Sequence, residues 1–268
     1  MSAVETCALC PRLCRWACPV AVGSAREAAV PTFLATAIVE HAAGRMSASR
    51  AAAAVALCTD CGACGSACHI HQPLPALLRD ARAALLRPAP IEPLRPIEGV
   101  GARVAVETDE RPWADALAAA LGEPVRRWFT ADALGVGAID HAMFEERASQ
   151  LRVVLADLEV VVAHGGVARA LRRAGVPFSW LHEVLPALAG DACGSCEAPG
   201  GARPLACCGA AGPLLAHHPA DAARVAEAWL ARRAGPVADA RCRAHFESVG
   251  QPAEDAVDRL LASRGNRG

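Results

Sequence analysis

Helical spacing dominates the first third of the chain. Leu74, Leu77, Leu78, Ala81 and Leu85 fall three and four residues apart behind Pro73-Leu-Pro75, the pattern of an amphipathic helix opened by proline. Ser24–Gly44 reads as an earlier helix, with Pro31 tolerated near its first turn and Gly44 as its terminator, and Ser47–Leu57 reads as another. Prolines at 88, 90, 93 and 96, followed by Gly99 and Gly101, then interrupt every period. Beyond them the pattern changes. Short β-rich runs at Val104–Glu107, Val125–Phe129, Val160–Ala163 and Val176–Trp180 alternate with helical patterns at Trp113–Leu121, His141–Leu151 and Val167–Arg173, the rhythm of an α/β domain. Ala220–Arg233 and Ala253–Ala262 are predicted as its last helices. The expected fold class is therefore mixed, α+β and α/β: an all-helical domain over 1–87, a proline-rich linker over 88–101 and an α/β domain over 102–268.

Composition narrows the function classes. With 53% apolar and 21% charged residues among 268, the chain has globular make-up and enough apolar material for one large or two small domains. Its 27 basic and 28 acidic side chains leave a formal charge of -1, so no broad electrostatic footprint for nucleic acid or anionic lipid is expected. The longest apolar runs, such as 51–58, are less than half of the roughly 18 residues that a membrane-spanning helix needs. No membrane span is expected, and any peripheral association would come through a partner. Cys7 and Cys10 occupy the region where a secretory signal would place its apolar stretch, so a reducing cytoplasm is the expected compartment.

Thirteen cysteines break this plain picture, in groups at 7, 10, 14 and 18, at 58, 61, 64 and 68, at 193 and 196, at 207 and 208, and at 242. Under reducing conditions such spacings point to metal or redox chemistry rather than to disulfides. Cys58-x2-Cys61-x2-Cys64-x3-Cys68 has the thiolate spacing of a bacterial-type [4Fe-4S] site, in which the fourth cysteine serves a partner cluster. Gly62 and Gly65 permit the close turns that wrapping a cluster requires. Cys7-x2-Cys10-x3-Cys14-x3-Cys18-Pro19 is a second run, one residue longer in its middle gap. On one straight helix its cysteines would share a face, as small buried apolar residues do, but Pro11 and Pro19 argue against a continuous helix. Reciprocal ligation would assign Cys7, Cys10, Cys14 and Cys68 to one cubane and Cys58, Cys61, Cys64 and Cys18 to another. Zinc competes for the same thiolates, although zinc sites usually separate two close cysteine pairs by a longer loop.

The stretch Cys7-Ala-Leu-Cys-Pro-Arg-Leu-Cys-Arg-Trp-Ala-Cys-Pro-Val, followed by Arg26-Glu27-Ala28 and Pro31, resembles a known module. The module it resembles is the amino-terminal dicluster ferredoxin module of iron-sulfur subunits related to heterodisulfide reductase, glycolate oxidase and anaerobic glycerol-3-phosphate dehydrogenase. Leu57-Cys-Thr-Asp-Cys-Gly-Ala-Cys-Gly-Ser-Ala-Cys resembles its second half, and the likeness covers residues 5 to 87. His69 departs from it, standing where the family usually has proline. In that family a cysteine-rich domain of two repeats follows, each with an upstream cysteine, a Cys-Cys-Gly motif and a downstream Cys-x-x-Cys. Asp191-Ala-Cys193, Cys207-Cys-Gly209 and Cys242-Arg-Ala-His245 resemble parts of the second repeat, the last with its second cysteine replaced. The first repeat, over 103–190, has the strand and helix rhythm but no cysteine.

The resemblance implies a metal role for Cys193, Cys207, Cys208 and Cys242, as a third iron-sulfur cluster or zinc, with Cys196 or His245 available. A thiol/disulfide pair at Cys207-Cys208 and an emptied remnant are the alternatives. His164 and His182 read first as hydrogen-bonded structural residues, and His71, His217 and His218 as solvated surface.

Two clusters close together relay single electrons between a two-electron donor and another carrier. The chain has neither a Gly-x-Gly-x-x-Gly after a strand nor a phosphate loop, so flavin or nucleotide binding by those routes is not expected. The expected function is an iron-sulfur electron-transfer subunit of an oxidoreductase complex, served by a flavoprotein partner and not an enzyme on its own. A metal-stabilised scaffold and a heterodisulfide-type thiol reductase component are the alternatives. Arg12, Arg15 and Trp16, beside the first run's cysteines, are candidate partner anchors, while Trp16 could equally shield a cluster from water.

Overall fold

In the computed structural model the described residues are 2–11, 13–86, 93–107, 112–130, 141–188, 214–231, 240–250, 254 and 256–265. In chain order the first elements are helices α1 (Ala3–Ala8), α2 (Pro19–Ser24), α3 (Pro31–Ala42), α4 (Ala48–Val55), α5 (Ala63–Ser66) and α6 (Leu74–Leu85). Strands and helices then alternate: β1 (Arg103–Glu107), α7 (Ala114–Leu121), β2 (Val125–Phe129), α8 (His141–Val154), β3 (Glu159–Val162), α9 (Gly165–Ala174), β4 (Ser179–Trp180) and α10 (Leu181–Val184). Helices α11 (Leu214–His217), α12 (Pro219–Leu230), α13 (Ala240–Ser248) and α14 (Ala256–Gly265) follow. The fold is thus mixed, largely helical with one small sheet of four parallel strands.

Two compact units share the chain. The first draws on Met1–Ala89, Gly137–His141 and Pro199–Ala234, the second on Pro90–Val136, Ala142–Ala198 and Gly235–Gly268. In the first, Cys7, Val20, Leu34, Leu57, Leu74 and Leu78 form a buried core with Leu214, Ala222 and Val225. Helix α12, expected from its position to close the α/β domain, therefore packs with the amino-terminal helices. Gly23 lets it approach α2 closely, since a Cβ at that position would lie 2.8 Å from Val225 Cα. An ion pair between Arg26 and the buried Asp221, and a hydrogen bond from His218 Nε2 to Ala53 O at 3.0 Å, fasten the same junction.

The expected single helix over Ser24–Gly44 is broken in two. Ala25 adopts the left-handed conformation behind α2, and Pro31 is the first residue of α3 rather than an interior one. Proline fixes its own φ and pushes the residue before it to extended backbone, and Val30 has φ -65 and ψ 132.

In the second unit the strand order is β2-β1-β3-β4. Alternate residues of the central strands face opposite ways. Val104, Val106, Val160 and Val162 pack with Ala148, Leu151 and Leu171 of α8 and α9, while Ala105 and Val161 pack with Trp113, Leu117, Val257 and Leu260. Burial on both faces explains why these strands read as continuous apolar runs. At the end of β1, the buried Glu107 carboxylate accepts the backbone N–H groups of Trp113 and Ala114, capping α7, and pairs with Arg127 Nε at 2.9 Å. Among the described residues, the chain after Trp180 contributes helices and no strand.

Candidate metal centre

Local punctuation sets where the first four cysteines stand. Ser2 and Glu5 form a capping box that starts α1, which carries the buried Cys7 and stops short of Pro11. Cys14 lies in a single 3-10 turn over Leu13–Ala17, and Cys18 is the N-cap of α2, with Pro19 as its first residue. The run is therefore a chain of short elements rather than one helical stripe.

The second run begins where α4 ends. Asp60 (φ 59) and Gly62 (φ 76) both take the left-handed conformation and curl the backbone around Cys61 before α5, which carries Cys64. A Cβ on Gly65 would lie 2.9 Å from Pro75 Cγ, so this glycine allows α5 to seat against the start of α6. Backbone N–H groups reach two of the sulfurs: Asp60 N donates to Cys58 Sγ at 3.3 Å, and Gln72 N donates to Cys68 Sγ at 3.4 Å.

The mutual influence of the thiols shows which of them stand near one another. Burial pushes the Cys7 thiol up, with Cys68 and Cys10 adding to the effect. Cys14 is pushed up to about 11 by burial and then by Cys10, Cys7 and Cys68. Cys18 is pushed up to about 12 by burial and then by Cys58 and Cys14. Cys61 is likewise pushed up to about 12, by burial, Cys18 and Cys58, and Cys64 is raised by burial and then by Cys58, Cys61, Cys18 and Cys14. Cys68 thus lies near Cys7 and Cys14, and Cys18 near Cys58, Cys61 and Cys64, with Cys14 near Cys18 and Cys64 as well.

Cys18, Cys58, Cys61 and Cys64 line one cavity together with Pro31, Leu34, Pro75 and Leu78. It is small, with about 20 Å³ of free space, and part of it is open to solvent. Among the described residues, no group of three or more His, Cys, Asp or Glu side chains is arranged to hold a metal ion. Tetrahedral zinc needs its sulfurs about 2.3 Å from one point. A cubane takes each thiolate at a different iron, and four cysteines lining one small apolar cavity are the donor type it uses.

Three charged residues that the cysteine pattern does not reveal complete the surroundings. Asp60, with its side chain 1% exposed, pairs with Arg82 Nη2 at 2.8 Å and lies 3.6 Å from Arg79 Nη1. Arg82 is buried on the face of α6 that carries Leu74 and Leu78. An arginine at the i+8 position of a leucine stripe was the available signal, since a core-facing arginine needs an anionic partner.

The remaining candidates divide by location. Cys193, Cys196, Cys207 and Cys208 lie outside the described residues, as do Arg12 and the side chain of Cys242. His182 is half-buried and stacked with Trp180 at 5.9 Å, and burial lowers its pKa. His245 is buried beside Phe246 and Ser248. His69, His71 and His217 are exposed, whereas His218 holds α4 as described. Trp16 is 74% exposed, with the Arg15 guanidinium 5.7 Å from its ring centroid. No family model, curated protein or solved structure matches the chain.

Proposed function

We propose that the first unit binds two [4Fe-4S] clusters and that the chain is an electron-transfer subunit working with a flavoprotein oxidoreductase. One observation carries the reading: Cys68 lies near Cys7 and Cys14, and Cys18 near Cys58 and Cys61, as reciprocal ligation in a dicluster module would need. The thiol-lined apolar cavity supports it as well. Cys7, Cys10, Cys14 and Cys68 would hold one cluster, and Cys18, Cys58, Cys61 and Cys64 the other. When bound, such clusters supply reversible one-electron storage.

The protein's own residues define how that store is insulated and reached. Leu34, Leu78, Pro31 and Pro75 keep the second cavity apolar, and the backbone N–H groups of Asp60 and Gln72 are placed to stabilise thiolate charge on Cys58 and Cys68. Leu9, Trp16 and Ile70, which are 77%, 74% and 56% exposed, stand within two residues of ligand cysteines of the first set. They offer a redox partner an apolar approach to that side, and Trp16 at this exposure suits an anchor better than a water shield. The Cys193, Cys207, Cys208 and Cys242 group is retained as a proposed third centre of iron-sulfur or zinc type.

Anaerobic purification followed by iron, sulfide and zinc analysis tests the proposal. About eight irons and eight sulfides per chain are expected for two cubanes, with paramagnetic signals on reduction. Stoichiometric zinc with no reducible signal would overturn it in favour of a metal-stabilised scaffold.

A further inference from the structure

The residues on either side of Cys61 both take the left-handed conformation, and only one of them is a glycine. Gly62 (φ 76) adopts it freely, with open space where a Cβ would stand. Asp60 (φ 59) carries a Cβ, which disfavours this backbone, although aspartate tolerates it better than most residues. Such a turn persists when its surroundings hold it. Here the holding group is Arg82, whose Nη2 lies 2.8 Å from the Asp60 carboxylate, the two side chains being 3% and 1% exposed. The pair is balanced in charge and closed to water. Arg82 is itself fixed, because α6 carries it on the same buried face as Leu74 and Leu78.

What this pair ties down is a wall of the cavity. The consecutive residues from Cys58 to Gly62 all line it, as do Pro75 and Leu78 of α6. Helix α6 therefore shapes the cavity with Leu78 and, one turn further on, fastens the turn with Arg82. Within that turn Asp60 N donates to Cys58 Sγ at 3.3 Å. Leaving the left-handed region would rotate the peptide plane between Thr59 and Asp60 against the rest of the turn and carry the donor off the sulfur. At Cys68 the corresponding donor is Gln72 N, at 3.4 Å, behind the left-handed His71 (φ 51), which is exposed.

We propose that Asp60 is a positioning residue for Cys58: clasped by Arg82, it holds the turn that keeps its own N–H on the sulfur. It thereby raises the midpoint of the site formed by Cys18, Cys58, Cys61 and Cys64. A reduced cluster carries one negative charge more than an oxidised one, so a donor aimed at a ligand sulfur favours reduction, and hydrogen bonds to the sulfurs are among the levers on cluster potential. The carboxylate acts through the backbone, its own charge being offset by Arg82. This inference rests on the two-cluster reading given above.

The test compares variants of equal charge by redox potentiometry with paramagnetic resonance on the anaerobically purified full chain. The site is identified by the signal that Cys64→Ser alters. Asp60→Gly with Arg82→Met, and Asp60→Ala with Arg82→Met, both remove the whole ion pair. They differ in that glycine adopts the turn freely and alanine does not. The alanine double variant should have the lower midpoint at this site, by at least about a threefold change in the reduced-to-oxidised ratio, about 28 mV at roughly 59 mV per tenfold for a one-electron couple. The midpoint of the other site should be the same in both. Loss of this cluster from the alanine double variant alone supports the inference as well. If neither double variant holds the cluster, Asp60→Asn against Asp60→Ala decides: both are neutral, but asparagine tolerates the turn and can accept from Arg82, so it should keep the signal that alanine loses. Equal midpoints in the double variants, or equal behaviour of these two single variants, would overturn the inference. Wild-type protein without iron and sulfide would instead overturn the two-cluster reading, a result that precedes any comparison of variants.

Discussion

Gly23→Ala probes the junction between α2 and α12, and its cost follows from two opposed effects. Alanine is the better helix former, by at most about 1 kcal/mol over glycine, and less near a helix end. Against this, the new Cβ would lie 2.8 Å from Val225 Cα and 3.1 Å from its Cγ2. The nearer atom belongs to the backbone, so no side-chain rotation relieves the contact and the two helices must separate. Overpacking of this kind costs about 1–3 kcal/mol, and the expected net result is a loss of about 1–2 kcal/mol. Val225→Ala, which removes two methyl groups from the buried core, should by itself destabilise the fold. The double variant should be more stable than the sum of the two losses by up to about 1 kcal/mol, because the methyl group added at Gly23 occupies part of the vacated space. Urea unfolding under anaerobic conditions, followed by circular dichroism, measures all three. A Gly23→Ala protein as stable as wild type would refute the close approach of α12 to α2.

Three further outcomes are expected. Cys68→Ser should abolish the same spectroscopic signal as Cys14→Ser, and Cys18→Ser the same signal as Cys61→Ser; Cys68→Ser matching Cys61→Ser instead would place each cluster within one run. In the reduced, metal-free chain, Cys14, Cys18 and Cys61 have thiols raised to about 11, 12 and 12, while unfolded cysteine titrates near pH ~8.5. The unfolded chain therefore loses protons first, and stability should hold below that pH and fall between about 8.5 and 12 by up to about 1.4 kcal/mol per unit for each thiol; equal urea midpoints at roughly pH 7.5 and 9.5 would contradict the burial of these sulfurs. Glu107→Ala leaves two helix N–H groups and Arg127 without their buried acceptor and should destabilise the second unit by about 3 kcal/mol. A loss below about 1 kcal/mol in thermal unfolding would show that water satisfies those groups.

Local signals carried much of the architecture. β1 and β3 lie within one residue of their expected ends because central strands buried on both faces read as apolar runs, while the edge strand β2, which spans the expected Val125–Phe129 and carries Arg126 and Arg127, is marked by its β-forming Val125, Trp128 and Phe129. Ser47 does cap α4, and Pro11 and Pro19 do interrupt the first cysteine run. Pro31 shows where such signals stop: proline fits inside a first turn and fits better as a first residue, and the pattern of neighbouring apolar residues does not separate the two. The two close runs of the eight amino-terminal cysteines are legible in the chain itself, since their spacing of two and three residues is a local feature. What covers each face is a different kind of fact. The buried positions of α12, Ala222, Val225, Ala226 and Trp229, state that one side is covered and not by what. Only the folded chain decides that α2 lies against it and that Cys68 comes near Cys7 and Cys18 near Cys58. The same holds for Arg82, which completes a leucine stripe and meets Asp60 from a distant turn. Periodicity records how a segment meets its surroundings, because burial acts on each residue separately. The choice of neighbour depends on shape and charge brought together across the whole chain, and it is settled only when those surfaces meet.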